Sequence, residues 1–312
     1  MFVTLLAVVF ALVLGHLVPS LAQSARQFGW FAQWMDWLDT RFPDDGFWRG
    51  HFGIVLAVLP ALLVVFLFQH ALDGPVLGLP SLLFGVATLF YAWGPGDLDL
   101  DVDAIVEAHD PIERRAAASS LYAPGEIVAL DAGSLVDAVF RNGKRRWFGV
   151  LFWFLLLGPV GAILYRLTTI AAIGDSAHRM PVGMVAGARG LLKLLDWPVA
   201  QLMTLSMALT GNFDAVISAW KDHGGASLDL DADYLSAAAR ASVRCDLAED
   251  AIDDAFADTL DTESGITIPA QIASTTSMPA LFELRDAMSL VWRILLVWLA
   301  VLALFVVAGW VS

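Results

Sequence analysis

The sequence predicts an all-α polytopic membrane protein with about five transmembrane helices. Of its 312 residues, 58% are hydrophobic and only 16% are charged, whereas soluble domains carry about a quarter charged residues. The mean hydropathy is +0.68. The apolar residues are concentrated in runs of roughly 20 residues, which is the length that a helix needs to cross the hydrocarbon core of a bilayer.

Four apolar runs are predicted to span the membrane: 52–68, 75–93, 147–165 and 290–311. The first two are joined by a very short connection, which suits two antiparallel helices. The run 2–21 is expected to be a retained fifth helix rather than a cleaved signal peptide, because no Lys or Arg precedes Arg26. The run 191–209 contains charges and a proline, so it could span, re-enter or lie along the surface. The number of spans therefore ranges from four to six.

Two polar segments are expected to be helical loops of one membrane domain, 1–312. Segment 94–146 holds six Lys and Arg residues and loop 23–51 holds three, so the positive-inside rule places both in the cytoplasm. Segment 211–288 holds 15 acidic against 4 basic residues. Its side stays open, because it depends on whether 191–209 spans.

Charge and cysteine content exclude several partners. The net charge of −14 argues against nucleic acid, because binding of the phosphate backbone needs a basic surface. The single cysteine, Cys245, cannot build an internal disulfide or a thiolate metal cluster. The lipid bilayer is the partner that the composition predicts.

Four alternating carboxylates, Asp97, Asp99, Asp101 and Asp103, form a candidate site for Mg²⁺ or Ca²⁺, which prefer oxygen ligands. A divalent cation is the only cofactor that the sequence suggests. The calcium-loop pattern needs Gly at its sixth position and an acid at its twelfth, and no register here supplies both. The alternative is a solvated loop in which Asp103 caps a helix that starts at Ala104.

A basic cluster, Arg141, Lys144, Arg145 and Arg146, precedes the run 147–165. The cluster lacks the glycine spacing and the Ser or Thr of a phosphate-binding P-loop. We therefore expect it to anchor the chain to anionic lipid on the cytoplasmic side.

Within the run 147–165, Gly158 and Gly161 flank a proline. Such a break either lines a protein-enclosed cavity or allows close helix packing through small residues. Tyr165 and Arg166 follow at the expected membrane edge. Arg166 is a candidate ligand for a carboxylate or phosphate, although an interfacial anchor is the more frequent role of such a residue.

Segments between about 90 and 215 together resemble the AmpE family of inner-membrane proteins. The resemblance is carried by Phe152-Trp153-Phe154, Gly158-Pro159-Val160-Gly161-Ala162, Tyr165-Arg166, Trp93-Gly94-Pro95 and Leu195-Asp196-Trp197-Pro198. It implies a non-enzymatic regulatory or signalling role in the response to cell-wall stress and in β-lactamase induction. It also implies a phosphorylated or cell-wall-derived ligand, for which the candidate binding residues are Tyr165, Arg166, Gly158, Gly161 and Asn142.

The same segments look related to the membrane enzyme that makes adenosylcobinamide phosphate by joining an amino-propanol phosphate to a cobyric acid carboxylate. Its Gly-Pro-x-Gly-Ala and Tyr-Arg motifs are shared, and Asn142 matches the Asn of its Glu-Asn pair. However, Arg141 replaces the Glu, Lys144 follows in a region where that enzyme carries a further acid, and Thr169 replaces an Asn. These changes argue against retained synthase activity, so the enzyme is the alternative prediction. Transport of a small solute is a third.

Overall fold

A computed structural model describes residues 6–12, 28–42, 46–72, 79–94, 96–227, 230, 233–243 and 279–308, and this part of the chain is helical without strands. Its named helices are α1 Gly29–Arg41, α2 Gly53–Leu72, α3 Leu79–Ala92, α4 Leu98–Glu107, α5 Pro111–Ala118, α6 Ala132–Gly143, α7 Gly149–Leu157, α8 Pro159–Ile173, α9 Val182–Thr210, α10 Phe213–Asp222 and α11 Pro279–Val307. Residues 6–12 and 233–243 are also helical. The predicted all-α class is confirmed for the described residues.

Within the described residues, two helices are long and apolar enough to cross a membrane, namely α2 and the stretch Phe282–Phe305 of α11. The helices α3 and α8 are apolar but shorter. On α2, Val55, Leu59 and Leu63 recur every four residues and are 46%, 57% and 56% exposed. Residues four apart share one helix face, so α2 presents an apolar stripe outward, as a lipid-facing helix does.

The run 147–165 is not one straight span, and this prediction is wrong. The chain turns at Gly158, whose φ of +69° is accessible to glycine at little cost. A Cβ at Gly149 would clash with the ring of Tyr165, and one at Gly161 would clash with the carbonyl of Trp153. These pairings require α7 and α8 to run antiparallel as a hairpin. At nine residues, α7 is only about 14 Å long.

The hairpin tip packs against the far end of α2. Gln69 Oε1 accepts a hydrogen bond from the backbone N–H of Val160 (3.3 Å). This bond satisfies one of the N–H groups that the first turn of α8 leaves without a helical partner. The break at Gly158 is therefore built into the packing of α2, α7 and α8, and α8 also packs against α3 and α9.

Asp side chains cap the three helices of the polar segment 94–146. Asp97 accepts a hydrogen bond from Asp99 N, Asp110 from Ile112 N, and Asp131 from Ser134 N. These bonds satisfy the first N–H groups of α4, α5 and α6. The helix α4 begins at Leu98, so the expected start at Ala104 with Asp103 as its cap is wrong.

The described part of segment 211–288 packs against segment 94–146. Arg240, in the helical stretch 233–243, pairs with Asp137 of α6 (3.4 Å). Burial raises the pKa of the Asp137 carboxyl above its ordinary value, and Arg240 partly opposes this effect. The run 191–209 lies inside α9, which continues through Pro198 and does not qualify as a membrane-spanning helix. The parts of the predicted runs at 2–5, 13–21, 75–78 and 309–311, and the expectations for 244–278, lie outside the described residues.

We predict that Gly161→Ala lowers the stability of the protein by about 1–3 kcal/mol, which is typical of overpacking. The added methyl group would meet the Trp153 carbonyl oxygen, a backbone atom that cannot move aside without bending the hairpin. Thermal unfolding of the purified protein in lipid nanodiscs measures the effect.

Gly190→Ala is the matched control. Gly190 lies inside α9 with open space around its Cα, so alanine there raises helix propensity without a clash. We expect an unchanged or higher unfolding temperature. Equal destabilisation by the two substitutions would contradict the hairpin geometry.

Candidate functional site: a cationic pocket above a buried ion pair

A single π-helical turn, Lys144–Phe148, joins α6 to α7 without a break. Such wide turns are frequently found at functional sites. The side chains of the three consecutive cationic residues on this turn have different surroundings. Lys144 pairs with Asp196, Arg146 pairs with Asp101, and Arg145 lines a pocket.

The Lys144–Asp196 pair is the most buried ion pair that the structure describes. Lys144 Nζ lies 2.9 Å from Asp196 Oδ2, and the two side chains are only 10% and 8% exposed. Tyr165 OH donates to the other carboxylate oxygen, Asp196 Oδ1, at 2.6 Å. Both oxygens of Asp196 are thereby satisfied. A buried carboxylate is tolerated only when it is paired and hydrogen-bonded in this way.

A cavity of about 240 Å³ opens directly beside this pair. It is lined by Arg141, Lys144, Arg145, Lys193, Asp196, Leu230, Asp233, Leu235 and Ser236. Its walls thus carry four cationic side chains against two carboxylates. This excess of positive charge in a concave and partly dehydrated site favours an anionic ligand.

The cationic side chains of the pocket differ in their ion pairs and hydrogen bonds. Arg141 Nη1 pairs with Glu126 Oε1 at 2.8 Å, and Lys144 is held by Asp196. Arg145 has no ion-pair partner in the described part of the chain, and its buried Nε lacks a hydrogen-bond acceptor. An unpaired guanidinium presents its N–H groups in a geometry that matches a carboxylate or a phosphate, so Arg145 is the side chain best placed to hold an anion.

The helical stretch 233–243 forms one wall of the pocket. Tyr234 is only 1% exposed, and burial, together with the nearby charge of Asp196, raises its pKa to about 12. Tyr234 therefore stays neutral at physiological pH. Its neighbours Asp233, Leu235 and Ser236 complete the lining.

The structure separates the residues that the sequence singled out as ligand-binding. Tyr165 lies beneath the pocket, where it holds Asp196. Arg166 is 5% exposed, and its guanidinium carbon lies 5.5 Å from the centre of the Phe28 ring, away from the pocket lining. Asn142 donates to the carbonyls of Leu121 and Ala138 and accepts from Arg146 Nε.

Gly158 and Gly161 shape the hairpin and do not line the pocket. Their contacts are with Gln69 and with Trp153, respectively. In the structure they act in chain reversal and close packing. A ligand role for them stays a prediction without geometric support.

The four carboxylates of the predicted cation site are not gathered in space. Asp97 caps α4, Asp99 accepts from Trp292 Nε1, Asp101 pairs with Arg146, and Asp103 is exposed. Among the described residues, no group of three or more His, Cys, Asp or Glu side chains could hold a metal ion. The geometry offers no support for a cation on α4.

The prediction that the basic cluster anchors the chain to anionic lipid is wrong for two of its four residues. Lys144 and Arg146 are 8% and 7% exposed and are engaged inside the protein. No sequence motif links Lys144, Arg145, Lys193 and Asp196, so their joint site was not predicted. One signal was available: Asp196 lies within an apolar run, where a charge is expensive and needs a partner.

We predict that Lys144→Met alone and Asp196→Asn alone each destabilise the protein by about 3–5 kcal/mol, because each removes one partner of a buried ion pair. Thermal or denaturant unfolding in nanodiscs measures this effect. The double variant should lose clearly less stability than the sum of the single variants. Strictly additive losses would show that the two side chains do not interact.

About half of the chain is similar to known proteins that are named for cobalamin biosynthesis. The chain is 30% identical over 188 residues to the "Cobalamin biosynthesis protein CobD" of Stutzerimonas stutzeri. It is 27% identical over 174 residues to the protein of the same name from Chromobacterium violaceum. The matches cover 56% and 53% of this chain and 58% and 53% of the relatives. No family model and no solved structure matches the chain significantly. The chain thus spans about half the length of the curated relatives it matches. Over that half it is distantly related to cobalamin biosynthesis proteins.

Proposed function

We propose that this chain is a multi-pass inner-membrane protein that binds a phosphorylated small molecule in its cationic pocket. We further propose that it acts in corrinoid synthesis as a synthase of the cobinamide-phosphate type. The observation that carries the proposal is Arg145, whose buried Nε has no hydrogen-bond partner in the described part of the chain, in a pocket whose lining has four cations and two carboxylates. The similarity to two cobalamin biosynthesis proteins supports the same reading, and it favours the enzyme over the AmpE-type regulatory prediction.

The pocket fits the smaller of the two substrates that the resemblance implies, an amino alcohol phosphate. Arg145 and Lys193 would hold its phosphate through charge-assisted hydrogen bonds. Asp233 lines the same cavity and would hold its ammonium group, since Asp196 is already engaged by Lys144 and Tyr165. A zwitterionic ligand would match a pocket in which Asp233 lies among an excess of cations.

Amide formation from a carboxylate requires that the carboxylate is activated first. The proposal therefore includes a nucleoside triphosphate as co-substrate. The carboxylate oxygen attacks the terminal phosphorus of the nucleoside triphosphate, and the nucleoside diphosphate leaves. The ammonium loses a proton to solvent, and the resulting amine attacks the acyl carbon. The phosphorylated oxygen then leaves as inorganic phosphate, and a second proton goes to solvent, so that the amide nitrogen keeps one. The chain's own residues bind and orient the amine partner, which lowers the entropic part of the barrier.

Membrane insertion is the second part of the proposal. The helices α2 and α11 have the length and hydropathy to span a bilayer. The hairpin of α7 and α8 would enter from the side of the polar segment and return. With α3 and the N-terminal run, this arrangement gives the multi-pass topology that the composition predicts.

Arg145→Gln should reduce the affinity for an amino alcohol phosphate by about tenfold or more, because a hydrogen bond to a charged group contributes roughly 1.5–3 kcal/mol. In a host that lacks its own cobinamide-phosphate synthase, the wild-type gene should restore growth that depends on cobalamin made from cobyric acid. Arg145→Gln should restore it poorly.

Arg145→Lys and Arg115→Gln are the matched controls. The first keeps the charge and should retain part of the function. The second removes an exposed arginine of α5 and should behave as wild type. Failure of the wild-type gene to complement, at normal expression in the membrane, would rule out the synthase role.

A regulatory protein of AmpE type is the second candidate. The basic residues at 144–146 favour this role, because the synthase that the chain resembles carries acids in this region. The internal ion pairs of Lys144 and Arg146 favour it as well. Deletion of the gene in its native host should then abolish β-lactamase induction by a β-lactam. Complementation with Arg166→Ala would test the predicted ligand residue, and normal induction without the gene would exclude this role.

A further inference from the structure

A second and larger cavity, of about 560 Å³, lies at the start of α9. This volume falls within the range of small-molecule sites. Met180, Val182 and Val185 give it an apolar wall, and Arg189 and Lys193 give it a cationic end. None of the described residues that line this cavity is Asp or Glu, so the described lining carries a net positive charge.

The second cavity and the cationic pocket are lined from one face of α9 and share Lys193. Residues 182, 186, 189, 193 and 196 are spaced by three or four, which places them on the same side of a helix. The first four line the larger cavity, Asp196 lines the smaller one, and Lys193 lines both. Lys193 therefore stands where the two cavities meet.

Arg189 is fixed at the rim of the larger cavity by contact with α8. Its Nε donates to the carbonyl of Ala172 at 3.3 Å, in the last turn of α8. This contact holds the cation between the end of α8 and the apolar wall. An occupant with one anionic group and an apolar body would satisfy both ends of the cavity.

We infer that the larger cavity binds an amphiphilic anion, a carboxylate or phosphate on an apolar body, with its anionic group at Arg189 and Lys193. The ligands of the two cavities would then meet at Lys193. The coupling between the cavities rests on the proposed function, whereas the second cavity itself does not. The same chemistry could come from an anionic lipid headgroup or from a soluble ligand.

Thiol protection tests the inference directly. Cys245 is the only cysteine of the chain, so Ala186→Cys in a Cys245→Ser background places one thiol in the larger cavity. In phosphatidylcholine nanodiscs, decanoate should slow labelling of this thiol by a maleimide, and decanol should not. Arg189→Gln should raise the decanoate concentration needed for half-protection by about tenfold, which is typical for the loss of a charge-assisted contact. Arg189→Lys should largely retain protection, and Arg115→Gln should have no effect.

A change of lipid identifies the source of the ligand. If nanodiscs that contain phosphatidylglycerol slow labelling without decanoate, and Arg189→Gln reverses this effect, the occupant is a lipid. If phosphatidylglycerol changes nothing while decanoate still protects, the occupant is a soluble anion. Equal protection by decanol, or full protection in Arg189→Gln, would overturn the inference.

Calorimetric titration with inorganic phosphate separates this inference from the proposed function. Arg145→Gln should weaken phosphate binding and leave decanoate protection unchanged, whereas Lys193→Gln should weaken both. If Arg145→Gln binds phosphate normally while Arg189→Gln abolishes protection, the proposed ligand site fails and the second cavity stands. If Lys193→Gln weakens only one of the two, the coupling is refuted.

Discussion

The buried pair of Lys144 and Asp196 is the constraint on which the arrangement of the site depends. A carboxylate inside an apolar helical body carries a large desolvation cost, and only a close counter-ion with satisfied hydrogen bonds offsets it. Lys144 and Tyr165 provide these contacts from two different helices, so the pair fixes α8, α9 and the π-helical turn relative to each other. Because the turn is fixed, Arg145 is placed at the pocket rather than at the surface.

The hairpin of α7 and α8 is the second element that positions the site. Tyr165 reaches Asp196 because the chain reverses at Gly158 and brings α8 back alongside α7, with the ring of Tyr165 against Gly149. A straight helix across the membrane would have carried Tyr165 far from the basic turn. The glycines of this region are thus required by packing, and they serve the pocket indirectly.

Composition and periodicity predicted the helical class, the apolar helices α2 and α11, and the break at Gly158, because these depend on local sequence. The direction of the chain after Gly158 was not predictable, since 19 apolar residues suit a single span as well as a hairpin. The pocket was missed because it joins α6, α9 and the stretch 233–243, which are distant in sequence. The carboxylates at 97–103 were misleading because alternation along a helix sends side chains to different faces.

The central claim is that the cationic pocket holds the phosphate of a small ligand. A structure of the protein in lipid nanodiscs, determined with a saturating amino alcohol phosphate, tests it most directly. The account predicts phosphate density within hydrogen-bond distance of Arg145 and Lys193, with the Lys144–Asp196 pair intact beneath it. Phosphate density at Arg166 instead, or an empty pocket with ligand bound elsewhere, would contradict the account.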